Sequence, residues 1–370
     1  MLTWVEVNKQ AIEYNLKQFR RLIGAKTLLM PVVKSNAYGH GLIKVAEICQ
    51  GSKEVDRICV VNLDEALELL RNGIKKPIMI LSFYELDAEK IKIAIAKKVI
   101  FPIYSEDQIN FLNNVAKKIK TAVKVHLKVD VGTTRVGILP KDALKFAKKI
   151  TQSNNLNLEG IWSHFASSET DKKFTDKQQH CFEDIINELE KNKIKIPLRH
   201  LACSAATILH KNSHFNGIRL GLSTYGLYPD KNSRKIIKLK PALSLNTKII
   251  QLKTVPKKTK IGYGGTFTTS SATVIAVLPI GYWDGIDRRM SNNGEVLIGG
   301  QKCPILGRIC MNLMMVNVTK LKKIKVGQTA TVIGQQGKSK ITADDIAKNI
   351  GTINYEIVDR INPLIKRIIK

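Results

Sequence analysis

A regular alternation of short apolar runs with longer amphipathic segments constrains the fold of this 370-residue chain more than any other feature. Near-continuous apolar runs are typical of parallel strands that are buried on both faces. Eight strand–helix units predict a (β/α)8 TIM barrel of the α/β class, with active-site groups at the carboxyl ends of the strands. The eight runs span residues 27–34, 58–62, 78–81, 100–104, 123–130, 158–164, 199–203 and 217–221.

The pattern changes near Lys240-Pro241, where alternating β-type stretches replace the strand–helix units. A short helix follows these stretches, with Thr342 as its expected N-cap. We therefore predict a barrel domain over residues 1–240 and a mostly β C-terminal domain over residues 241–370. Residues 2–8 form a strand that precedes the first barrel helix and is available to pair with the second domain.

Composition excludes several classes of protein. Hydrophobic residues make up 44% and charged residues 25% of the chain, as in a globular domain. The net charge of +29 comes from lysines spread along helix faces, which favours a solvated surface over a nucleic-acid site. The six cysteines lack metal-ligand spacing, and we see no signal peptide or membrane-spanning run. We expect a cytoplasmic protein without metal, nucleic-acid or membrane partners.

Lys34 closes the first apolar run and is the first candidate for chemistry. A lysine at the end of a buried strand is costly to desolvate unless it is paired or chemically used. In an apolar site its pKa falls, which a lysine that bonds covalently to a carbonyl cofactor requires. Taken alone, Lys34 is compatible both with that role and with a side chain that extends to solvent.

The segment around Lys34, residues 33–41 (VKSNAYGHG), resembles the cofactor-lysine signature of the alanine racemase family. The resemblance continues in order through segments 129–137, 162–166, 200–207, 219–222, 261–267, 280–285 and 307–312. It implies a barrel followed by a β domain, pyridoxal 5′-phosphate as cofactor, and interconversion of L- and D-alanine. It further implies a homodimer with shared active sites, whose product D-alanine supplies peptidoglycan synthesis.

The resemblance also implies which residues hold the cofactor. Lys34 would bond to it covalently and exchange the proton on the D-face of the substrate, while His164 would pack against the ring. Phosphate binding after the seventh and eighth strands agrees independently with the habit of these barrels. The implied phosphate-binding groups are the side chains of Tyr38 and Ser204 and the N–H groups of Gly221 and Leu222.

Arg219 has the most informative implied role, which is donation to the pyridine nitrogen. A guanidinium does not readily give up its proton, so that nitrogen would remain unprotonated. The cofactor would then withdraw electrons weakly, which favours brief proton exchange over decarboxylation or transamination.

Racemisation needs a base on each face of a planar carbanion. By resemblance, the second base is Tyr263, which serves the L-face from the other subunit. Arg135 and the N–H of Met311 would bind the substrate carboxylate, and Tyr282 would line the entry. Lys128 matches a lysine that is carbamylated in some members; an ordinary strand lysine is the alternative.

Three positions depart from the usual family pattern: Cys203 and Asn312 stand where asparagine and an acid are common, and Pro363 where many relatives have a tyrosine. Activity should survive, with substrate preference and rate open. The alternatives are a racemase for serine or lysine, a decarboxylase, and a barrel-only carrier of the cofactor. A decarboxylase usually has an acid in place of Arg219, and a carrier lacks the second domain. Nucleic-acid binding is the weakest alternative.

Overall fold

The computed structural model describes residues 1–370, which contain twenty β-strands and twelve α-helices. The strands are β1 (Thr3–Val7), β2 (Leu28–Pro31), β3 (Ile58–Val60), β4 (Ile78–Ile80), β5 (Phe101–Ile103), β6 (Val123–Lys128), β7 (Leu156–Trp162), β8 (Leu198–His200), β9 (Gly217–Leu220), β10 (Leu243–Lys248), β11 (Gln251–Val255), β12 (Lys260–Ile261), β13 (Phe267–Thr268), β14 (Thr273–Leu278), β15 (Glu295–Ile298), β16 (Gln301–Leu306), β17 (Met314–Asn317), β18 (Thr329–Gln336), β19 (Ser339–Ile341) and β20 (Arg367–Ile369). The helices are α1 (Lys9–Ile23), α2 (Lys34–Tyr38), α3 (Leu42–Gly51), α4 (Leu63–Arg71), α5 (Ala88–Ala96), α6 (Glu106–Lys118), α7 (Ala143–Thr151), α8 (Lys172–Lys191), α9 (Ser204–Leu209), α10 (Ser233–Ile236), α11 (Ala343–Ile350) and α12 (Asn354–Asp359).

The chain divides into two compact units. The barrel unit comprises residues 11–34 and 42–241, and the sheet unit comprises residues 1–10, 35–41 and 242–370. None of the helices combines the length and apolar character that crossing a bilayer requires.

Strands β2 to β9 form the barrel unit's core, and each overlaps one of the eight predicted runs. Strands β5 to β8 form a continuous parallel sheet, β3 pairs with β4, and β9 pairs with β2. Single bridges connect β2 to β3 and β4 to β5, and the N–H of Arg219 in β9 donates to the carbonyl of Ala202 after β8, at 3.0 Å. The ring closes, which confirms the predicted (β/α)8 barrel.

Helix starts in the barrel unit follow the capping residues in the sequence. The side chain of Ser105 accepts a hydrogen bond from the N–H of Gln108 at the start of α6, and Asn62 caps α4 in the same way. These caps satisfy N–H groups that have no partner inside the helix. They fix where each helix begins, and therefore the length of each loop at the carboxyl ends of the strands.

The sheet unit is built on a sheet in the order β11-β14-β17-β16-β15-β18-β10-β1-β20, with β19 paired to β18. Strand β1 pairs antiparallel with β10 and parallel with β20. Helix α11 begins at a capping box in which Thr342 and Asp345 satisfy each other's backbone N–H groups. The mostly β character expected of the C-terminal part is confirmed.

Candidate active site

The barrel interior contains ionisable side chains where aliphatic layers are usual. Four of them are at most 4% exposed: His126 and Lys128 in β6, His200 in β8 and Arg219 in β9. Burial of such groups is unfavourable unless they are hydrogen-bonded. Their presence therefore marks the barrel interior as a candidate functional site.

Lys34 begins α2, three residues beyond the carboxyl end of β2, and is half-buried. Its charge contributes to the lowered pKa values of both Lys128 and His164, which places the three side chains near one another. The structure therefore brings Lys34 together with predicted site residues from β6 and from the end of β7. This clustering of cations favours a neutral, nucleophilic amine at one of the lysines.

Arg219 extends from β9 into a ring of acceptors. Its Nη1 lies 2.7 Å from His200 Nδ1 and 3.0 Å from the carbonyl of the same residue. Its Nη2 lies 2.7 Å from the carbonyl of Ser163, 3.0 Å from that of Leu201 and 3.2 Å from His164 Nδ1. These five contacts occupy both terminal nitrogens and leave the Nε–H as the one donor of the guanidinium outside this ring of acceptors.

The charge of Arg219 is balanced by no carboxylate in direct contact. Burial lowers its pKa to about 10, which still leaves the guanidinium protonated at neutral pH. Its carbon also lies 4.6 Å from the ring centroid of Trp162, a cation–π contact. A buried, fully oriented cation of this kind presents a fixed hydrogen-bond donor that does not act as a proton source.

His164 follows β7 and faces Arg219 with Nδ1. Burial and the charge of Arg219 hold the pKa of His164 well below its ordinary value, so the imidazole is neutral. Because arginine only donates, Nδ1 accepts and the proton of His164 lies on Nε2.

Ser204, Gly221 and Leu222 lie together after β8 and β9. Ser204 is the first residue of α9, and its Oγ accepts from the N–H of Ser223 at 3.4 Å. Gly221 is the N-cap and Leu222 the first residue of a 3-10 helix at residues 222–225, where the first N–H groups have no acceptor within the helix. The loops after β8 and β9 thus offer a hydroxyl and backbone donors suited to a phosphate.

Lys128 is 4% exposed and its Nζ lies 3.6 Å from the centroid of the Trp162 ring. Burial, together with the charges of Arg219 and Arg135, lowers the pKa of Lys128 to about 6. The nearby carboxylate of Asp130 is bound elsewhere: it accepts from the N–H groups of Gly132 and Arg135 at 2.9 and 2.7 Å. Lys128 is therefore largely an uncharged amine at neutral pH.

In the sheet unit, residues 35–38, which are all of α2 except Lys34, form a left-handed helical turn. Four consecutive residues other than glycine have φ between 52° and 54°, which L-residues rarely adopt. The turn presents Tyr38, which is buried with its ring centroid 6.1 Å from that of Tyr355. Sequence reasoning identified Tyr38 and missed both the turn and the aromatic neighbour.

Tyr263, Tyr282 and Met311 are exposed residues of neighbouring loops in the sheet unit. The N–H of Tyr282 donates to the carbonyl of Cys310 at 3.0 Å, next to Met311 in the chain. The loop of Tyr263 packs against Arg308, because a Cβ at Gly264 would lie 2.7 Å from the guanidinium of that arginine. The segment 308–311 thus gathers all three predicted residues at one edge of the unit.

The positions that depart from the family pattern differ in their surroundings. Cys203 is half-buried with its Sγ 3.5 Å from Ser168 Oγ, so a thiol contact replaces an amide. Asn312 and Pro363 are exposed. Neither exposed position makes a contact that explains its residue type.

Sequence reasoning missed a buried extension of this site, in which His200 contacts His126 and His126 contacts Glu159. The signal was present: a histidine between the apolar residues Val125 and Leu127 of strand β6, and a glutamate before a glycine in β7. An apolar-run pattern does not reveal that these two side chains point at each other.

Comparison with known proteins matches both parts of the chain. Residues 7–229 match the family model of the alanine racemase N-terminal domain, and residues 242–369 match that of the C-terminal domain. The alanine racemase of Methanococcus maripaludis is 40% identical over 99% of this chain and 98% of its own length. The alanine racemase of Clostridium difficile 630 superposes with a TM-score of 0.93 at 33% identity, covering 100% of this chain and 96% of that one. A Bacillus anthracis alanine racemase with bound L-Ala-P gives 0.91 at 34% identity, covering 100% and 95%.

Proposed function

The chain belongs to the alanine racemase family and interconverts L- and D-alanine, and we propose that it uses pyridoxal 5′-phosphate with Lys34 and Tyr263 as its two bases. The cofactor, the residue roles and the sharing of active sites between subunits are our proposals. They are supported by the geometry of the barrel unit and by the exposure of the predicted base in the sheet unit.

The orientation of Arg219 is the observation that carries the proposal. Both of its terminal nitrogens are held by acceptors, which leaves the Nε–H as the donor available to a ligand. A pyridine nitrogen without a proton is an acceptor that suits this donor. The loops that carry Ser204, Gly221 and Leu222 suit the phosphate of the same molecule, so the donor set fits pyridoxal phosphate.

Lys34 would hold the cofactor covalently through its Nζ, since it is half-buried beyond the carboxyl end of the first barrel strand and lies close to Lys128 and His164. When bound, the cofactor supplies a conjugated ring that accepts the electrons left when the α-proton departs. Arg219 keeps its own proton, so it orients the ring without strengthening that electron withdrawal. Arg135 would bind the carboxylate of alanine, and His164 would pack against the ring.

Tyr263 would move the proton on the L-face through its phenolic oxygen. The side chain is 72% exposed, although large aromatic residues are normally covered. We propose that a second copy of the chain covers this edge, so that Tyr263 of one subunit completes the site of the other. Met311 and Tyr282, on the adjoining loops, would then bind the substrate carboxylate and line the entry.

Lys128 is a candidate for carbamylation. A buried lysine with a pKa near 6 is a neutral nucleophile that adds to CO2, with loss of a proton, to give an anionic carbamate. The new charge would neutralise part of the positive field from Arg219 and Arg135. Incubation with 13C-bicarbonate should give a carbamate signal in the carbon NMR spectrum that Lys128→Met abolishes.

The biological setting of the activity is also proposed from the family. D-alanine formed by this enzyme would supply peptidoglycan synthesis, from a cytoplasmic location. The substrate is a small molecule, and we expect no nucleic-acid or membrane partner because the positive charge is distributed over helix surfaces.

Visible absorption tests the cofactor assignment directly. The purified protein should be yellow, and Lys34→Ala should lose essentially all of the visible band because the covalent bond to the cofactor cannot form. Lys44→Ala is the matched control, since Lys44 is an exposed lysine that pairs with Glu47. A Lys34→Ala protein as yellow as the wild type would refute Lys34 as the attachment point.

A further inference from the structure

A buried chain of hydrogen bonds leads from Arg219 away from the site to Glu159. Arg219 Nη1 lies 2.7 Å from His200 Nδ1, and His200 Nε2 lies 2.9 Å from His126 Nδ1. His126 Nε2 lies 3.0 Å from Glu159 Oε2. The chain crosses four barrel strands, β9, β8, β6 and β7, and both imidazoles are fully buried.

Arg219 and Glu159, the two ends of this hydrogen-bond chain, determine the direction of every hydrogen bond between them. Arginine only donates, so His200 Nδ1 accepts and the proton of a neutral His200 lies on Nε2. His126 Nδ1 must then accept, and the proton of His126 lies on Nε2, facing Glu159. A carboxylate only accepts, so the far end agrees with the near end. Reversing His200 alone would set its Nδ1–H against an N–H of Arg219, and reversing His126 alone would set its Nδ1–H against the Nε2–H of His200.

Burial keeps both imidazoles neutral. It lowers the pKa of His126, and burial with the charge of Arg219 holds the pKa of His200 well below its ordinary value. The ring of His200 is also stacked on Trp162, with centroids 5.6 Å apart and planes 9° apart. Neither imidazole is therefore a second cation beside Arg219. Each ring has one proton, which lies either on Nδ1 or on Nε2.

The strand geometry at Glu159 is specific to this contact. The pairing of β6 with β7 shifts between Val125, opposite Leu158, and His126, opposite Gly160, so Glu159 is an extra residue. Such a bulge turns a side chain out of the regular alternation. Gly160 has no room for a side chain, because a Cβ there would lie 2.6 Å from the His126 ring. The bulge and the glycine together hold the glutamate and the imidazole in register.

Two cationic side chains that are not part of this hydrogen-bond chain keep Glu159 charged. Arg57 donates to both of its oxygens, at 2.6 and 3.1 Å, and Lys124 Nζ lies 2.7 Å from Oε1. Burial raises the pKa of this carboxyl, but the bonds from His126, Arg57 and Lys124 outweigh it and hold the pKa well below the ordinary value. Glu159 is thus a permanent acceptor at the end of the chain.

We propose that Glu159 is a positioning residue for the racemase reaction, which orders the protons of His126 and His200 so that Arg219 is held as an oriented, donor-only cation. This inference rests on the proposed role of Arg219 toward the pyridine nitrogen. Without the ordered chain, His200 could present an N–H to Arg219 and displace it. Water could then protonate the ring nitrogen, and the cofactor would withdraw electrons more strongly.

Nitrogen NMR of the wild-type holoenzyme, with 15N-labelled histidine, tests the positions of the protons directly. The signals are assigned by comparison with variants that each lack one histidine. Both His126 and His200 should be neutral with the proton on Nε2 between pH 6 and 8. A proton on Nδ1 of either ring, or a cationic imidazole at either position, would overturn the inference.

Kinetics of Glu159 variants tests the consequence. Glu159→Gln should lower kcat for racemisation about tenfold and raise side-product formation about tenfold. The side product is pyruvate, formed with the amino form of the cofactor, one to one, from alanine and bound cofactor. Glu159→Asp should recover part of the loss. Glu106→Gln is the control, since Glu106 is also bound by two cations, Lys145 and Lys149, but does not belong to the hydrogen-bond chain and contacts none of its residues.

The ratio of pyruvate to D-alanine separates the two possible failures. If the proposed role of Arg219 is wrong, Arg219→Lys leaves the ratio at the wild-type value. If only the inference is wrong, Arg219→Lys raises the ratio, whereas Glu159→Gln leaves it equal to that of Glu106→Gln.

Discussion

Lys128 shows how a single buried residue links stability to chemistry. Its pKa in the folded protein, about 6, is well below the ordinary value of 10.5. Between these two values the unfolded chain binds the proton and the folded protein does not, so the lysine destabilises the fold. The penalty is full below pH 6 and disappears as the pH rises toward 10.5.

Lys128→Met should therefore stabilise the protein in CO2-depleted buffer, by on the order of 1–4 kcal/mol near pH 6, because a methionine of similar length has no charge to desolvate. The difference in free energy of unfolding from the wild type should shrink steadily toward pH 10. Denaturant unfolding at several pH values measures it. A difference that stays constant with pH would contradict the shifted pKa.

At the residue scale, the sequence predicted the candidate site residues at the ends of the barrel strands. It missed the polar residues that lie within those strands. Lys34, His164 and Gly221 are each the last residue of an apolar run, and apolar runs end where the barrel's functional face begins. Glu159 could not be found in this way, because its orientation depends on a bulge that only the pairing of β6 with β7 reveals. The role of Lys128 likewise depends on neighbours contributed by other strands.

Among the elements, the left-handed turn at residues 35–38 is the least expected from sequence. None of Ser35, Asn36, Ala37 and Tyr38 is a glycine, and each such residue costs about 1–2 kcal/mol in this conformation. Packing within the sheet unit holds the turn: the Arg367 guanidinium donates to the carbonyl of Gly39 at 3.1 Å. Local propensity predicts none of this, since the stabilising contact is 328 residues away in the chain.

Gly39→Ala tests how tightly that turn is held. A Cβ at this position would lie 1.9 Å from the carbonyl oxygen of Val358, and φ is +79°. We expect a loss of roughly 3 kcal/mol or more in the free energy of unfolding, because backbone would have to move. Gly51→Ala is the control, since no atom lies within 4 Å of its Cβ position and the residue ends helix α3. Equal stability of the two variants would show that the turn is loosely packed.

At the scale of the whole molecule, exposed apolar side chains are concentrated in the loops of the sheet unit. Tyr263, Trp283 and Met311 are each more than half exposed. A surface of this kind is typical of an interface between subunits. The sequence predicted the residues by resemblance, but exposure of a side chain cannot be read from apolar periodicity.

Mixing two inactive variants tests whether subunits share sites. Lys34→Ala and Tyr263→Phe each remove one base, so each homodimer should be nearly inactive. If sites are shared, a heterodimer has one site with both changes and one intact site. Unfolding and refolding the mixture together should restore about a quarter of wild-type activity, as random pairing gives. No recovery would place both bases of a site in one subunit.

The most direct test of the two-base account is proton exchange in deuterated buffer. Given L-alanine, the wild-type enzyme should form D-alanine that contains deuterium at Cα, because each face exchanges with a different base. Tyr263→Phe should slow abstraction from L-alanine about a hundredfold or more, and slow abstraction from D-alanine far less, since Lys34 is retained. Equal slowing from both enantiomers, or no D-alanine from the wild type, would contradict the account.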